Sequence, residues 1–132
     1  MGVQQRPIRR GDVYWATYAF PHEQSASPEG TRVEKQRPVL IVQNNADNEN
    51  EFYPLVQAAP ITTQKTKRVY EQDVLLPAGE ANLQQTSKVL LGLAQPFLKA
   101  RLDQKLGRVS PARMREVDVK LLRLFGFARK PR

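Results

Sequence analysis

The sequence predicts a mainly β protein, in which a small, strongly curved antiparallel sheet or partial barrel is followed by one C-terminal helix. Five or six short segments with strand-like apolar patterning are separated by polar turns, and one segment near the end carries apolar residues at helical spacing. The 132 residues suffice for one domain with its own core. We expect a single domain over 1–132, with flexible tails at 1–8 and 128–132.

Residues 36–44 contain the clearest strand, centred on the apolar run Val39-Leu40-Ile41-Val42. A short apolar run bounded by turn-forming residues predicts a strand that is buried on both faces. Pro38 lacks an N–H group, so we expect it as the first residue of this strand. It also favours extended backbone at Arg37, which places a guanidinium at the mouth of the strand. Such a cation can bind phosphate, but an ordinary surface arginine fits the same pattern.

Residues 11–18 form the first predicted strand, because they alternate in polarity and are rich in aromatic side chains. Alternation assigns these side chains to two faces, the first with Val13, Trp15 and Thr17, the second with Tyr14, Ala16 and Tyr18. Residues 19–35 contain prolines, serines, a glycine and several charges. They predict a long loop, and loops of this length are usually functional or disordered.

The remaining elements are predicted from shorter signals. Residues 44–51 are a polar turn, and residues 97–106 have the apolar spacing of a helix. Residues 62–68 are a polar, basic continuation of the strand before them. Strands are predicted over residues 52–61, 73–76, 88–94 and 107–109.

One clear helix begins near the C-terminus. Ser110 is a good N-cap, and Pro111 suits the first helical turn. Gly126 is a suitable end for the helix. The apolar stripe of this helix consists of Met114, Val117, Leu121 and Leu124. Its basic residues are expected in solvent: Arg113, Arg115, Lys120 and Arg123.

Composition limits the possible sites. There is no cysteine, which excludes disulfides and thiolate-bound metals, and the single histidine, His22, excludes a histidine-rich metal site. No apolar run approaches the ~20 residues of a membrane span. The basic N-terminus lacks the apolar core of a signal peptide. We therefore expect a soluble, cytoplasmic protein.

The positive charge is concentrated at one end of the chain. The net charge is +8, with ten basic and ten acidic residues in 1–98 but eleven basic and three acidic residues in 99–132. An excess of this kind attracts polyanions. It favours a nucleic acid or an acidic protein as partner, and the alternative is a role in solubility.

Most catalytic motifs are missing from the sequence. No Ser-His-Asp set, phosphate-binding glycine loop or metal-ligand spacing is found. The polar groups that remain include a few carboxylates and Arg37, Thr62, Thr63, Thr66, Ser87 and His22. Such a set can still cleave RNA, because the RNA 2′-hydroxyl is itself the nucleophile. The protein then has to position that hydroxyl and stabilise charge on the phosphorane.

Three motifs occur in order along the chain: Arg10-Gly11-Asp12-Val13-Tyr14-Trp15-Ala16, the segment 37–44, and Ala59-Pro60-Ile61-Thr62-Thr63-Gln64. Weaker support comes from residues 86–91 and from the last helix. Together these motifs resemble the MazF/PemK/Kid group of toxin endoribonucleases from bacterial type II toxin–antitoxin pairs. The resemblance extends from Arg9 to about Phe127 and covers nearly the whole chain.

This resemblance implies an SH3-like partial barrel of the CcdB/PemK type, usually paired as a homodimer. It implies cleavage of single-stranded RNA at short sequences without a metal or other cofactor, giving 2′,3′-cyclic phosphate and 5′-hydroxyl ends. It also implies an antitoxin, which we expect to be acidic and partly disordered. The family's catalytic arginine and threonine fall on Arg37 and Thr62.

Their roles follow from side-chain chemistry. A guanidinium holds its proton firmly, so Arg37 is expected to stabilise the phosphorane first and to act as a general acid second. Thr62 is expected to hydrogen-bond a phosphate oxygen. The general base is open between Glu34 and His22. His22 is a candidate because histidine titrates near neutral pH. The alternative for Glu34 is a surface ion pair, and the alternative for His22 is a solvated loop residue. The expected RNA-binding residues are Gln36, Thr63, Gln64, Lys65, Lys67, Ser87 and Gln95.

The chain departs from the family pattern in its basic tail, Arg129 to Arg132, which extends past the usual end, and at two places that bear on the site. The loop before Arg37 lacks the glycines of the common Gly-Ser-Glu-Gln-Gly-Gly sequence. The family's acidic-Gln-x-Arg segment is replaced by Gly92-Leu93-Ala94-Gln95, which bears on cleavage-site preference. The change at residues 92–95 keeps an alternative open: a non-catalytic module that binds nucleic acid, or that inhibits a protein target as gyrase poisons do.

Overall fold

The computed structural model describes residues 7–19 and 34–129. Two α-helices lie in these ranges, α1 (Asn45–Glu49) and α2 (Pro111–Leu124). The strands in chain order are β1 (Asp12–Tyr18), β2 (Lys35–Ile41), β3 (Leu55–Thr62), β4 (Asp73–Leu76), β5 (Ser87–Leu90), β6 (Gln95–Leu98) and β7 (Leu102–Arg108).

All seven strands join in one antiparallel sheet. Its order is β4-β5-β3-β2-β1-β7, and β6 pairs with β3. The long strand β3 is shared, because β6 pairs with residues 55–58 and β5 with residues 61 and 62. A sheet whose strand changes partner along its length must bend. The predicted fold class, a small curved antiparallel sheet with a C-terminal helix, is confirmed.

The sheet has a hydrophobic cluster on each face. Leu40 belongs to the first cluster, whereas Val39 and Ile41 belong to the second, and all three are fully buried. The prediction that this run is buried on both faces is therefore confirmed. Strand β1 alternates in the same way, with Val13 in the first cluster and Tyr14 in the second. The face assignment predicted for this strand also holds.

Helix α2 covers the first cluster. The Ser110 hydroxyl caps it by accepting a hydrogen bond from the Arg113 amide, and Val117 is fully buried against the sheet. The rest of the predicted stripe also packs there: Met114, Leu121 and Leu124. The predicted start and apolar face of the helix are confirmed.

Two basic residues of α2 are not simply solvated, as the sequence predicted. The Lys120 ammonium donates to the Asp73 carbonyl at 2.7 Å, and Arg123 pairs with Glu71 at 3.0 Å. Both partners lie at or just before β4, outside the helix. Periodicity within the helix therefore could not reveal these contacts.

The helix predicted over 97–106 is wrong. This segment contains the end of β6, a short 3-10 turn at Lys99–Arg101 and most of β7. Pairing with β3 and β1 decides its conformation, because apolar spacing alone does not separate a short helix from two short strands. Of the small strand predicted at 107–109, residues 107 and 108 form the end of β7, and Val109 lies beyond it.

Other predicted boundaries also need correction. Residues 44–51, predicted as a turn, contain α1, whose Asn44 cap accepts from the Asp47 amide at 2.8 Å. Pro38 lies inside β2 and is not its first residue. It is tolerated there because pairing with β3 begins only at Val39. The strand predicted over 88–94 ends at residue 90 and is followed by a 3-10 turn.

Residues near both ends of the described part of the chain make packing or hydrogen-bond contacts. Ile8 is buried in the second cluster, and the Ala128 amide donates to the Leu122 carbonyl. Among the residues described here, no helix is both long and apolar enough to cross a membrane.

Candidate active site

Arg37 and Thr62 come together at the place where β2 and β3 stop pairing. The ladder between these strands runs from Ile41–Ala58 to Val39–Pro60. Extending this antiparallel register by two residues places Arg37 opposite Thr62, with both side chains on the same face of the sheet. The pairing itself does not continue to this position, so the sheet is open between the two residues.

A cleft of about 630 Å³ lies at this opening. Its walls come from β1, β2, the end of β3 and the segment between β4 and β5. The residues that line it are Trp15, Lys35, Gln36, Arg37, Pro38, Ile61, Thr62, Thr63, Gln64, Asn82, Leu83, Gln84, Gln85, Ser87 and Leu106. Most of its polar groups are amides and hydroxyls, which can both donate and accept hydrogen bonds.

The Arg37 guanidinium lies over an aromatic ring. Its central carbon is 5.3 Å from the centroid of the Tyr18 ring, and this ring makes an edge contact with Phe97 at 5.1 Å. Tyr18 is buried, whereas Arg37 is half-buried. A cation over a buried aromatic face is held in place by the cation–π attraction. Arg37 therefore presents its positive charge from a supported position.

The Thr62 hydroxyl begins a sharp turn. Its oxygen accepts a hydrogen bond from the Gln64 amide at 3.0 Å. The hydroxyl proton is still available to donate, because a threonine hydroxyl is both donor and acceptor. The turn continues through Lys65, which has a left-handed φ of 52°. A phosphate between Thr62 and Arg37 could thus take hydrogen bonds from both side chains.

Several predicted RNA-binding residues share this cleft. Thr63 and Gln64 line it from the turn, and Gln36 lines it from β2, where its amide donates to Asp103 at 3.4 Å. Ser87 lies at the far wall, with its hydroxyl donating to the Gln85 carbonyl at 2.9 Å. These residues thus share one surface with Arg37 and Thr62.

The other predicted residues lie elsewhere. Lys65 and Lys67 are exposed on the turn after Thr62, beside the cleft. Glu34 is exposed just before β2 and does not line the cleft. Gln95 lies on β6, opposite Ala58, with its amide donating to a neighbouring carbonyl. His22 lies outside the described residues.

One whole wall of the cleft was not predicted from the sequence. Asn82, Gln84 and Gln85 line it together, next to Leu83. The signal was a short run of amide side chains between two strands, and amides are suited to reading base edges in RNA. The Tyr18 support of Arg37 was also missed, because their contact crosses from β1 to β2.

The described part of the chain contains no group of three or more His, Asp or Glu side chains placed to hold a metal ion. The cleft offers guanidinium, hydroxyl and amide groups instead. These groups can bind a phosphate and nucleotide bases directly.

Comparison with known families identifies the chain. Residues 9–125 match the family described as PemK-like, MazF-like toxin of type II toxin-antitoxin system. The chain belongs to this family. The resemblance derived from the sequence motifs is confirmed. The sheet and the C-terminal helix described above are consistent with a MazF-like chain.

Individual relatives agree with this membership. The MazF-like chain is 30% identical over 117 residues to the Endoribonuclease MazF2 of Mycobacterium bovis, an alignment covering 89% of this chain and 96% of the relative. It also resembles a mycobacterial endoribonuclease in complex with its cognate antitoxin, with a TM-score of 0.69, 24% identity and coverage of 93% and 99%. A MazE-MazF structure from Deinococcus radiodurans gives a TM-score of 0.69, 22% identity and coverage of 94% and 100%. The two structural likenesses establish the fold.

Proposed function

We propose that this chain is the endoribonuclease toxin of a type II toxin–antitoxin pair, and that it cuts single-stranded RNA at selected sequences. The family match and the 30% identity to a protein named as an endoribonuclease support the enzyme class. One observation carries the assignment of the site: Arg37 and Thr62 line the same cleft, opposite each other at the open end of β2 and β3.

The proposed reaction is a transesterification within the RNA, which requires no metal. The 2′-oxygen forms a bond to phosphorus, the bond between phosphorus and the 5′-oxygen breaks, and the products carry a 2′,3′-cyclic phosphate and a 5′-hydroxyl. One proton leaves the 2′-hydroxyl for a base, and one proton is delivered to the departing 5′-oxygen. Charge grows on the non-bridging oxygens in the transition state, so fixed donors near them lower the barrier.

Arg37 is the main stabiliser of this charge in our proposal. Its position over the Tyr18 ring requires little rearrangement when RNA binds. Arg37 also delivers the proton to the 5′-oxygen as a secondary role, and Thr62 hydrogen-bonds a non-bridging oxygen. Glu34 and His22 remain the two candidates for the base.

RNA recognition is assigned to two groups of residues. Lys65 and Lys67 neutralise backbone phosphates, which gives affinity without sequence preference. The cleft amides and hydroxyls select bases: Gln36, Thr63, Gln64, Asn82, Gln84, Gln85 and Ser87. Gln95, which lies away from this cleft, would contact RNA outside it.

A protein partner is the second part of the proposal. The whole excess of positive charge lies in residues 99–132, which favours an acidic antitoxin segment. An apolar groove of about 730 Å³ also borders α2, where Phe125 and Phe127 are 66% and 83% exposed. Exposed apolar surface of this kind marks contacts with other proteins. We propose that the chain forms a homodimer in the cytoplasm and is neutralised there by its antitoxin.

The test is cleavage of a long, mostly single-stranded RNA by purified protein in EDTA. We expect defined cuts with cyclic-phosphate ends, and their loss in Arg37→Ala and Thr62→Val. Arg101→Ala is the matched control, since it removes an exposed arginine from a turn outside the cleft. If folded wild-type protein binds RNA without cutting it, the non-catalytic binding module replaces the enzyme. If the control loses activity as well, the site assignment is wrong.

A further inference from the structure

Lys88 is a buried lysine that connects both ends of the turn after Thr62. It is 5% exposed, and it is the β5 residue paired with Thr62 of β3. Its ammonium donates to the Arg68 carbonyl at 2.6 Å. Lys88 therefore holds both ends of the turn. Its backbone pairs with Thr62 where the chain enters the turn, and its side chain binds the Arg68 carbonyl where the chain leaves it.

The charge of Lys88 is balanced by a carboxylate. Its Nζ lies 3.5 Å from Oδ2 of Asp73, and both side chains are 6% exposed. The same Asp73 oxygen accepts a hydrogen bond from the Tyr70 amide at 2.9 Å, and the Asp73 carbonyl accepts one from Lys120. The segment that follows the turn is thus fixed from β5 and from α2.

The turn between these anchors has an ordered backbone and exposed side chains. The Gln64 amide donates to the Thr62 hydroxyl, and the Arg68 amide donates to the Lys65 carbonyl, both at 3.0 Å. Lys65 and Lys67 remain exposed. An ordered turn that displays two lysines beside the cleft is suited to contact with a phosphate chain.

We propose that Lys88 is a positioning residue for RNA, which holds the turn in the shape that brings Lys65 and Lys67 to the backbone of the bound strand. This inference rests on the proposed endoribonuclease function. Lys88 itself touches no RNA, because its ammonium is buried between the Arg68 carbonyl and the Asp73 carboxylate. Its contribution is preorganisation: a turn that is already ordered loses less entropy on binding.

The test variant is Lys88→Met with Asp73→Asn. Removing Lys88 alone would leave a buried carboxylate without its cation, which is strongly destabilising. Asparagine keeps an oxygen for the Tyr70 amide, and the pair of changes keeps the net charge constant. The matched control is Arg123→Met with Glu71→Gln, which also removes one cation and one carboxylate, from an ion pair of 3.0 Å. That pair ties α2 to Glu71, just before β4, without contacting the turn after Thr62.

The readout is the salt dependence of RNA binding. All proteins carry Arg37→Ala to prevent cleavage, and the ligand is a short single-stranded RNA containing a mapped cut site. Each lost phosphate contact lowers the slope of log K against log salt by ~0.7 on single strands, so we expect the test variant to lose about 1.4. The control should keep the slope. In proteins with Arg37 intact, KM should rise by a larger factor than kcat falls.

A double-mutant cycle separates positioning from general damage. Lys65→Gln with Lys67→Gln should lower the slope in the parent protein and should have no further effect in the test variant. If the loop lysines contribute equally with and without Lys88, the positioning role is refuted. A wild type that cuts RNA while all slopes are equal also refutes it and leaves the proposed function intact. A wild type that neither binds nor cuts RNA refutes the proposed function itself.

If the test variant does not fold, amide hydrogen exchange of the wild type tests the proposal instead. In the free protein, we expect the amides of Gln64 and Arg68 to exchange more slowly than in an unstructured peptide. Exchange at the rate of an unstructured peptide would show that the turn is not preformed, and the proposal would fail.

Discussion

Replacing Gly107 with alanine should destabilise the protein and displace one wall of the candidate cleft. A Cβ at this position would lie 2.4 Å from the Ala81 carbonyl oxygen and 2.6 Å from its carbon. Both are backbone atoms, so no side-chain rotation can relieve the contact. On its other side, Gly107 is paired with Val13 of β1. Strand β7 therefore has little freedom to move away.

The size of the effect follows from this overlap. The separation must grow from 2.4 Å to at least 3.0 Å to reach contacts that proteins tolerate. Overpacking of this kind costs about 1–3 kcal/mol, and we expect about 2–3 kcal/mol because the obstacle is backbone. For a domain of this size the melting temperature should fall by roughly 8–12 °C. Ala81 belongs to the 3-10 turn Glu80–Asn82. The Asn82 amide, which donates to the Leu106 carbonyl at 2.9 Å, would move with this turn.

Urea unfolding followed by circular dichroism measures the stability difference. Gly92→Ala is the control, because nothing lies within 4 Å of a Cβ built there, and its stability should change by less than about 0.5 kcal/mol. RNA cleavage by folded Gly107→Ala protein should also decrease, since Asn82 and Leu83 form part of the cleft. Equal stability of the two alanine variants would refute the close approach of β7 to the 3-10 turn Glu80–Asn82.

Three further predictions test other parts of the structure. Val117→Ala should lower the free energy of unfolding by about 2 kcal/mol, because Val117 is fully buried between α2 and the sheet; a change below 0.5 kcal/mol in urea unfolding would contradict that packing. Ser110→Ala should cost about 0.5–1 kcal/mol in the same assay, since its hydroxyl accepts from the Arg113 amide at the long distance of 3.4 Å; no loss would mean that this cap contributes nothing. Tyr18→Leu should slow RNA cleavage by roughly 5- to 10-fold at saturating RNA by removing the ring under Arg37, whereas Tyr18→Phe keeps the ring and should retain most of the rate; equal losses would point to the phenol oxygen instead.

Much of the fold could be predicted because several strands and the last helix carry their own local signals. The run around Leu40 predicted a strand buried on both faces, and both clusters contain residues from it. Ser110 and Pro111 predicted the start of α2, where the N-cap is found. These signals are local, since they depend on residues next to each other in the chain.

The elements that could not be predicted depend on distant contacts. Residues 97–106 belong to two strands. The part before the short turn pairs with β3, and the part after it pairs with β1. Lys120 binds the carbonyl of Asp73, which is far away in the sequence. A strand edge or a carbonyl in another element leaves no trace in the local pattern.

The candidate site shows the same division. Family motifs indicated Arg37 and Thr62, and the structure places both at one cleft. The amide wall at residues 82–85 and the Tyr18 support depend on the curvature of the sheet, which no motif encodes. The general base remains a prediction, with Glu34 outside the cleft and His22 outside the described residues.

In the proposed reaction, the RNA supplies its own nucleophile at the Arg37–Thr62 cleft. The most direct measurement compares a short RNA containing a mapped cut site with the same RNA carrying one 2′-deoxy nucleotide on the 5′ side of the cut. We predict cleavage of the first RNA to a cyclic phosphate and no cleavage of the second, with both bound equally well by Arg37→Ala protein. Cleavage of the deoxy substrate, or products with 5′-phosphate ends, would show that the 2′-hydroxyl is not the nucleophile.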